Sequence, residues 1–262
     1  MKSHALFLTF AAFAALASCS SPKSDYSQVT NSKFLNVGIT IYEPMDYFDE
    51  DGETIVGFDA SLARDFAKSL GATARFTLIA WDSKILELSS GAIDVIWNGM
   101  TITDELKSNI DVSTAYATNY QCVVVKESRL AEFTSPDSLK TFKVAVEAGS
   151  AGADAVKSYV APIEVRSQEA ALLEVKSGSS DAAVIDVTMA NAIVGKADFT
   201  GLAKVAPEAI AFDKEDFGVG LRKGSDLTSR LNTFLKGAYA DGSMAKLSET
   251  YGVALNDATL KA

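Results

Sequence analysis

Apolar and polar positions alternate between two periods from residue 34 onward. Short runs rich in Val, Ile, Leu and Phe indicate strands, and the stretches between them place apolar residues at helical spacing. In the first half of the chain, the pattern predicts strands at 34–41, 74–79 and 92–97 and helices at 59–71 and 81–91. Asp59 or Ser61 is expected to cap the first helix. Such alternation is typical of an α/β fold with a mostly parallel sheet covered by helices.

The second half of the chain repeats this pattern. It predicts strands at 140–147 and 181–186 and helices at 150–160 and 167–178. Two helix-to-strand corners also match: E-L-S-S-G-A-I-D-V-I-W and E-V-K-S-G-S-S-D-A-A-V share Glu, an aliphatic residue, Ser, Gly and Asp at equal offsets. Capping chemistry alone also favours Gly at a helix end. The simpler interpretation is two similar α/β lobes.

Polar residues stand at the tips of the strands that follow these two corners. Asn98 and Gly99 end the first strand, Thr101 follows shortly after, and Asp186 ends the second. Ligands of open α/β sheets bind beyond the carboxyl ends of the strands. If the two lobes face each other, these residues lie on opposite sides of a cleft.

Composition and charge exclude several classes of function. The chain has 262 residues, of which 48% are hydrophobic, 22% are charged and only 5 are Pro, so it is globular. A net charge of -10 and a pI near 4.7 argue against binding to nucleic acid or to an anionic membrane surface. The only histidine, His4, lies at the extreme N-terminus, which excludes His-based triads and most zinc sites from the rest of the chain. No metal or cofactor is expected.

The N-terminal residues have the pattern of a secretory signal. Lys2 precedes an apolar run at 5–17 that is too short to cross a bilayer comfortably, and the run ends in L-A-S-C. This ending resembles the bacterial lipobox, which implies a signal peptide at 1–18 and lipid modification of Cys19; the alternative is an ordinary signal peptide with an incidental Cys. Residues 19–33 are then expected to form a flexible tether. Cys122, in an apolar strand pattern, is expected to be a buried, inert thiol.

Five further segments carry a resemblance that runs nearly end to end. They are Y-E-P-M-D-Y-F-D-E-D-G-E-T-I-V-G-F-D, S-S-G-A-I-D-V-I-W-N-G-M-T-I-T, V-A-V-E-A-G-S-A-G, F-G-V-G-L-R-K-G-S and L-N-T-F-L-K-G-A-Y-A-D-G-S-M-A-K-L-S-E-T-Y-G. In this order, the chain resembles the extracytoplasmic solute-binding proteins of amino-acid ABC transporters, the polar amino-acid or family 3 type. The resemblance implies a two-lobed venus-flytrap fold with two crossover strands. It places the first lobe at 34–118 and 217–262, the second at 119–216, and the hinges at 117–121 and 215–217.

The resemblance also implies ligand-binding roles for residues of the first lobe. Tyr42 would pack its ring on the aliphatic part of the ligand, and the alternative is a core or surface tyrosine. Asn98, Gly99 and Thr101 would supply a backbone carbonyl, a backbone N–H and a hydroxyl to an α-amino acid. Trp81 begins a helix and is expected to form a wall of the cleft or to pack in the core. Strand alternation directs the neighbouring tryptophan, at position 97, into the core.

In the second lobe, the resemblance points to a helix start and a carboxylate. Gly149, Ser150 and Ala151 open a helix, where free N–H groups and the helix dipole attract an anion. Asp186 matches the carboxylate that pairs with the α-ammonium group of the ligand, and the alternative is an Asp in a turn at the end of a strand.

Leu106 departs from the family pattern. The motif usually continues T-I-T-x-x-R, and the Arg binds the α-carboxylate of the ligand, whereas this chain has T-I-T-D-E-L. Losing a bidentate Arg contact should weaken binding of an ordinary amino acid by at least about a hundredfold. Three explanations remain open: a ligand without a free α-carboxylate, a carboxylate held by the helix start at Gly149 with Lys84 or Lys107, or a scaffold that has lost transport.

Three functional classes follow from these expectations. The favoured one is a non-enzymatic, lipid-anchored, monomeric binding protein that captures a small amine or amino-acid-like solute outside the cytoplasm and delivers it to an ABC permease. The second is a sensor or surface lipoprotein that kept the scaffold without transport. The third is a dehydratase of cyclohexadienyl substrates, which needs a cation for the substrate carboxylate and a placed general acid; Leu106 argues against the cation.

Overall fold

The computed structural model describes residues 24–262. The strands are β1 (Phe34–Ile39), β2 (Tyr47–Phe48), β3 (Ile55–Val56), β4 (Thr73–Leu78), β5 (Val95–Thr101), β6 (Asp111–Val112), β7 (Ala117–Lys126), β8 (Val144–Glu147), β9 (Ile163–Val165), β10 (Ala182–Asp186), β11 (Leu202–Lys204) and β12 (Lys214–Leu221). The helices are α1 (Asp25–Ser32), α2 (Phe58–Ser69), α3 (Lys84–Ser90), α4 (Asp104–Asn109), α5 (Ala151–Val156), α6 (Gln168–Ser177), α7 (Val187–Ile193), α8 (Leu227–Ala240), α9 (Ser243–Tyr251) and α10 (Asp257–Leu260). Every strand and helix predicted from the pattern is present, with ends that shift by a few residues. No helix between residues 24 and 262 is long and apolar enough to cross a membrane.

The sheet divides into two parts that define two lobes. The first lobe is built on β4, β1 and β5, which run parallel, and the second lobe on β10, β8 and β9, which also run parallel. Helices α2 and α3 pack on the first part, whereas α5 and α6 pack on the second. The two-lobed α/β fold is therefore confirmed. The sheet as a whole is mixed, because β7 and β12 run antiparallel to their neighbours.

Two long strands join the lobes. Strand β7 pairs with β12 through its first four residues and with β10 through its last ones, while β12 continues into the first lobe beside β5. The C-terminal segment covers this crossing: Leu255 forms a bridge with Ala117, and the Asn256 amide donates to Asp216 at 2.8 Å. The lobe boundaries predicted at 118 and 217 fall within this β7–β12 pairing and remain predictions.

The stretch expected to be a flexible tether is ordered over most of its described part. Residues 25–32 form α1, whose Ser24 cap accepts a hydrogen bond from the Ser27 N–H at 2.9 Å. Val29 is fully buried, and Asp25 lies 2.8 Å from the guanidinium of Arg222. The tether prediction is therefore wrong for these residues, because an apolar contact and an ion pair dock them on the first lobe. The predicted signal peptide and Cys19 lie outside the described residues.

The repeated corners have the same chemistry in both lobes. Gly91 and Gly178 end their helices in the left-handed conformation, with φ of 81° and 85°. Downstream of Gly91, Asp94 accepts from the N–H of Asn36 in β1 and binds Arg222. Downstream of Gly178, Asp181 accepts from the N–H of Lys143, just before β8, and binds Arg129. Each aspartate therefore ties the turn after its helix to a neighbouring strand. Trp97 and Cys122 are both buried in the same hydrophobic core, as expected.

Candidate functional site

A cavity of about 240 Å³ lies between the lobes at the carboxyl ends of β5, β8 and β10. All nine predicted ligand-binding residues line it: Tyr42, Trp81, Asn98, Gly99, Thr101, Gly149, Ser150, Ala151 and Asp186. The structure thus brings together residues from both halves of the chain. Their contact with a ligand remains a prediction, and the protein contacts of each one limit what it can offer.

Asn98 has its side chain fully engaged inside the first lobe. Its amide oxygen accepts from the N–H of Thr40 at 2.9 Å and from the Thr40 hydroxyl at 2.8 Å. Its amide nitrogen donates to the Thr40 carbonyl at 3.0 Å and to Asp46 at 2.8 Å. Only the backbone of Asn98 remains for a ligand, which agrees with the backbone carbonyl expected there.

Gly99 differs from its expected role. Its N–H donates to Asp59 at 2.7 Å, so it is not the free donor predicted for the ligand. Asp59 also accepts from the Tyr116 hydroxyl at 2.8 Å and lies inside α2, whose cap is Gly57; the prediction that Asp59 or Ser61 caps this helix is therefore wrong. Gly99 has φ of 55°, and a Cβ there would stand 2.8 Å from the Tyr42 ring. A glycine is therefore required for the close approach of Tyr42.

Tyr42 and Trp81 form two aromatic walls of the cavity. Tyr42 is 2% exposed, and burial followed by the charge of Asp186 raises the pKa of its hydroxyl well above the usual value. Trp81 lies in a 3₁₀ turn and packs with Leu106 in a small apolar cluster. The Lys84 ammonium stands 4.8 Å from the centre of the Trp81 ring, so a cation–π contact exists within the protein. Trp81 therefore combines both expected roles, wall and core.

Thr101 connects the first lobe to the crossover strands. Its hydroxyl donates to Glu215 on β12 at 2.9 Å. The same Glu215 oxygen accepts from the amides of Asn119 at 3.0 Å and Gln121 at 2.9 Å, both on β7. These two amides also donate to Asp186. A continuous hydrogen-bond network therefore links the Thr101 hydroxyl, the crossover strands and Asp186, the residue predicted to bind the ligand ammonium group.

Asp186 lies at the floor of the cavity, held only by neutral donors. It accepts from the amides of Asn119, Gln121 at 2.7 Å and Gln168, and it is 5% exposed. None of the ion pairs among residues 24–262 includes it. Burial, followed by repulsion from Glu215, raises the pKa of Asp186 to about 7 despite these hydrogen bonds. A buried carboxylate in this state gains most from a cation.

Glu147 is a second buried carboxyl group that the sequence reasoning did not identify. It ends β8 beside β10, lines the cavity, and is 2% exposed. Within residues 24–262, its Oε1 has no hydrogen-bond partner. Burial and then the charge of Asp186 raise the pKa of Glu147 to about 8. A signal was present: Glu147 ends the predicted strand 140–147 just as Asp186 ends 181–186.

Lys84 supplies a contact between the lobes. Its ammonium donates to the Trp81 carbonyl at 3.1 Å and to the Gly149 carbonyl of the second lobe at 2.9 Å. Burial lowers the pKa of Lys84, and Glu147 opposes that shift. Gly149 has φ of 67°, and a Cβ there would stand 2.9 Å from the Asp82 Cα, so the two backbones are in close contact. The structure therefore has the lobes closed on each other at this edge.

The helix start at Ser150 and the position of Leu106 complete the lining. The Ser150 hydroxyl caps α5 by accepting from the Ala153 N–H at 3.1 Å. Leu106 is 7% exposed and lines the cavity, whereas Lys107 pairs with Asp104 on the surface and is not part of the lining. Among the lining residues of the described chain, five are carboxylic and only Lys84 is cationic; the carboxylic ones are Asp82, Glu105, Glu147, Asp154 and Asp186. This balance favours a cation.

Comparison with known proteins places the chain among solute-binding proteins. It is 31% identical to the L-cystine-binding protein TcyJ of Escherichia coli K12, over 80% of this chain and 79% of that protein. It is 32% identical to the arginine-binding extracellular protein ArtP of Bacillus subtilis 168, over 96% and 98% of the two chains.

A solved structure and a family model agree. The ancestral amino-acid-binding protein AncCDT-1, described as a precursor of cyclohexadienyl dehydratase, superposes with a TM-score of 0.80 at 31% identity, over 87% of this chain and 99% of that one. The model of bacterial extracellular solute-binding proteins, family 3, matches residues 35–254. A match over most of the chain identifies the family, and the chain belongs to the family 3 bacterial extracellular solute-binding proteins.

Proposed function

We propose that this protein captures a small cationic solute between its lobes, an amine or amino-acid derivative without a free α-carboxylate, and delivers it to an ABC permease. The single observation that carries the proposal is the charge of the cavity lining, with five carboxylic side chains against one ammonium. Asp82, Glu105 and Asp154 are exposed, and Asp154 pairs with Lys157, so the attraction on an ammonium group comes mainly from the two buried carboxyl groups, Glu147 and Asp186.

Asp186 is the side chain to which we assign the ammonium group of the solute. It is buried, it accepts only from neutral amides, and the pKa of its carboxyl group is raised to about 7. A ligand ammonium would provide the missing countercharge and remove the penalty of holding an unpaired carboxylate in a poorly hydrated site.

Leu106 and Lys84 support the absence of a strong carboxylate site. Leu106 presents an apolar side chain to the cavity where the family motif has Arg. Lys84 is the remaining cation of the lining, and its ammonium already binds the carbonyls of Trp81 and Gly149. A ligand carboxylate would compete with these contacts and with the carboxylic side chains around them.

The relatives favour nitrogen-containing ligands without specifying this one. TcyJ is named for cystine and ArtP for arginine, so two relatives with similar sequence identity to this chain are named for different amino acids. Each of those two ligands has an α-carboxylate. The substitution at Leu106 is therefore the main reason to propose a different ligand here.

Matched ligand pairs test the proposal most directly. Isothermal titration calorimetry would compare arginine with agmatine and lysine with cadaverine, since each pair differs only by the carboxylate. We expect the decarboxylated member to bind at least about tenfold tighter, equivalent to about 1.4 kcal/mol. Leu106→Arg should reverse this order, because Arg restores a bidentate partner for the carboxylate. Tighter binding of the amino acids by the unmodified protein, with no gain in Leu106→Arg, would contradict the proposal.

The location that we propose is extracytoplasmic, with a lipid anchor at Cys19. The lipobox-like L-A-S-C ending of the apolar run and the extracellular family support it. Mass spectrometry of the native protein should find a diacylglyceryl group on Cys19. In the Cys19→Ala variant, the protein should leave the membrane fraction, and retention there would contradict the anchor.

We also propose binding without catalysis. A dehydratase of cyclohexadienyl carboxylates needs a proton donor, and Glu147 with its raised pKa is the observation that favours this alternative. The same reaction needs a cation for the substrate carboxylate, and Leu106 occupies that position. Formation of an aromatised product from prephenate or arogenate, absent in Glu147→Gln, would establish the enzymatic alternative.

A further inference from the structure

We propose that Glu147 and Asp186 together recognise two cationic groups, so that the ligand of this cavity is a short diamine or an equivalent dication. This inference rests on the proposed function and narrows its ligand class. Asp186 takes one ammonium group, and Glu147 takes the second.

Both carboxyl groups lie at the same edge of the sheet. Strands β8 and β10 are parallel neighbours, with Ala145 opposite Ala183, so Glu147 at the end of β8 and Asp186 at the end of β10 are one residue apart in register. Both side chains line the same cavity, and the charge of Asp186 acts on Glu147. Two cations on one short chain can therefore reach both carboxylates at once.

Neither carboxyl group has its charge balanced within the described chain. Asp186 binds three amides, and Glu147 retains one oxygen without a partner. Lys84 acts on Glu147 through its charge, but no ion pair within 4 Å joins them, and its ammonium donates to two carbonyls instead. One ammonium therefore stands near two buried carboxyl groups and forms a direct ion pair with neither of them.

The proton held by Glu147 has a direct consequence for selectivity. Burial raises the pKa of this carboxyl group to about 8, so much of the ligand-free protein is protonated there at neutral pH. A monocation has no reason to displace that proton. A dication can displace it, because its second charge stabilises the carboxylate, and it is thereby distinguished from a monoamine of the same length.

A matched ligand series tests this inference by calorimetry on the intact protein. The probes are 1,4-diaminobutane, N-acetyl-1,4-diaminobutane and butylamine, which share a four-carbon chain and differ in the number of charges. We expect the diamine to bind at least about tenfold tighter than either monocation, as for one charged hydrogen bond. Glu147→Gln, which keeps the size of the side chain, should reduce the ratio to within about threefold without weakening the monocations.

A control variant and the contrary outcomes complete the test. Glu164→Gln removes an exposed carboxylate from β9, in the same sheet but outside the cavity, and should leave the ratio unchanged. Thermal unfolding would establish that both variants are folded. If the amines bind with no preference for the diamine, or if Glu147→Gln keeps the preference, the role of Glu147 is overturned while the proposed function stands. If none of the three amines binds, the inference fails, and the arginine–agmatine and lysine–cadaverine pairs then decide the proposed function separately.

Discussion

The two strand ends that face each other across the cavity are built in opposite ways. Three residues before the end of β5, the Asn98 amide makes four hydrogen bonds to Thr40 and Asp46, all within its own lobe. At the end of β10, Asp186 is also surrounded by amides, but it is charged when ionised and has no cation beside it. The Asn98 amide has all its hydrogen bonds made and carries no charge, whereas Asp186 is satisfied in its hydrogen bonds and not in its charge.

This difference indicates that one strand end maintains the shape of the cavity and the other provides the free energy of ligand binding. A neutral amide whose four hydrogen bonds are all made carries no unbalanced charge, and it holds the strand beside Gly99 and the ring of Tyr42. A buried carboxylate without a countercharge lowers the stability of the ligand-free protein and gains when a cation arrives. The first corner should therefore control folding, and the second should control affinity.

The largest effect should follow from Asp186→Asn. Removing one member of a buried charge pair weakens binding by about 2–5 kcal/mol, or roughly thirtyfold to several thousandfold. Calorimetry with the tightest amine ligand measures this loss, and the far-ultraviolet circular dichroism should remain that of a folded protein. Asp181→Asn, at the other end of the same strand, pairs with Arg129 away from the cavity and should keep wild-type affinity. Equal losses in the two variants would refute the role of Asp186.

Asn98→Ala should lower the stability of the fold more than the affinity for the ligand. It leaves the buried N–H and hydroxyl of Thr40 and one oxygen of Asp46 without their partner, which should lower the free energy of unfolding by about 3 kcal/mol. Urea denaturation measures this change. Asn36→Ala, which removes an amide with one side-chain bond to Asp94, should lose only about 1 kcal/mol. The comparison of corners breaks down if Asn98→Ala is as stable as wild type or loses more affinity than Asp186→Asn.

The pattern of the sequence predicted most of the fold because local periods determine it. The strands that contain Asn98 and Asp186 both alternate with amphipathic helices, so their order followed without tertiary information, although the first continues to Thr101, past the end predicted at 97. The ordered state of α1 did not follow, because its Asp25 is held by Arg222, 197 positions further along the chain. A polar stretch next to a signal has the same composition whether it docks or not.

The sequence predicted which residues line the cavity, but it did not predict the hydrogen bonds that those residues make within the protein. Resemblance to the family brought the nine candidate residues to one cavity, and the motif made Leu106 conspicuous. The engagement of Gly99 by Asp59 was not predictable, because it joins residues 40 positions apart. Glu147 was missed because a Glu is mostly exposed in folded proteins, and the burial of this one is visible only in the structure.

The pH dependence should sharpen the contrast between stability and affinity. Asp186 and Glu147 have folded-state pKa values raised to about 7 and about 8, compared with about 4 in the unfolded chain. The folded protein therefore binds more protons than the unfolded one between these limits, so its free energy of unfolding without ligand should fall as the pH rises from about 4 to 8. Lys84, Glu215 and Tyr42 also face these groups and contribute to their shifts.

Affinity for a cationic ligand should change in the opposite direction. Binding needs ionised carboxylates, so the dissociation constant should fall as the pH rises from 6 to 8, by up to about tenfold per pH unit for each proton released. Calorimetry in buffers of different ionisation enthalpy counts those protons. In Asp186→Asn, the remaining dependence on pH should be weaker. An affinity that does not change between pH 6 and 8 would show that the two carboxyl groups are already ionised in the ligand-free protein.

The smallest effect on affinity should come from a substitution at the contact between the lobes, where Gly149 meets Asp82. Gly149→Ala places a Cβ 2.9 Å from the Asp82 Cα, at a φ of 67° that a side chain rarely adopts. Gly91→Ala has a comparable φ of 81° but open space around its Cβ, so it includes the backbone penalty without the contact. Both variants should lose about 1 kcal/mol of the free energy of unfolding. Only Gly149→Ala should also lower the affinity for the ligand, by about tenfold. Small-angle scattering with ligand should detect incomplete closure in that variant alone. Equal affinity in both variants would mean that the protein binds its ligand without the Asp82–Gly149 contact. The binding free energy would then come mainly from Asp186 and its neighbours.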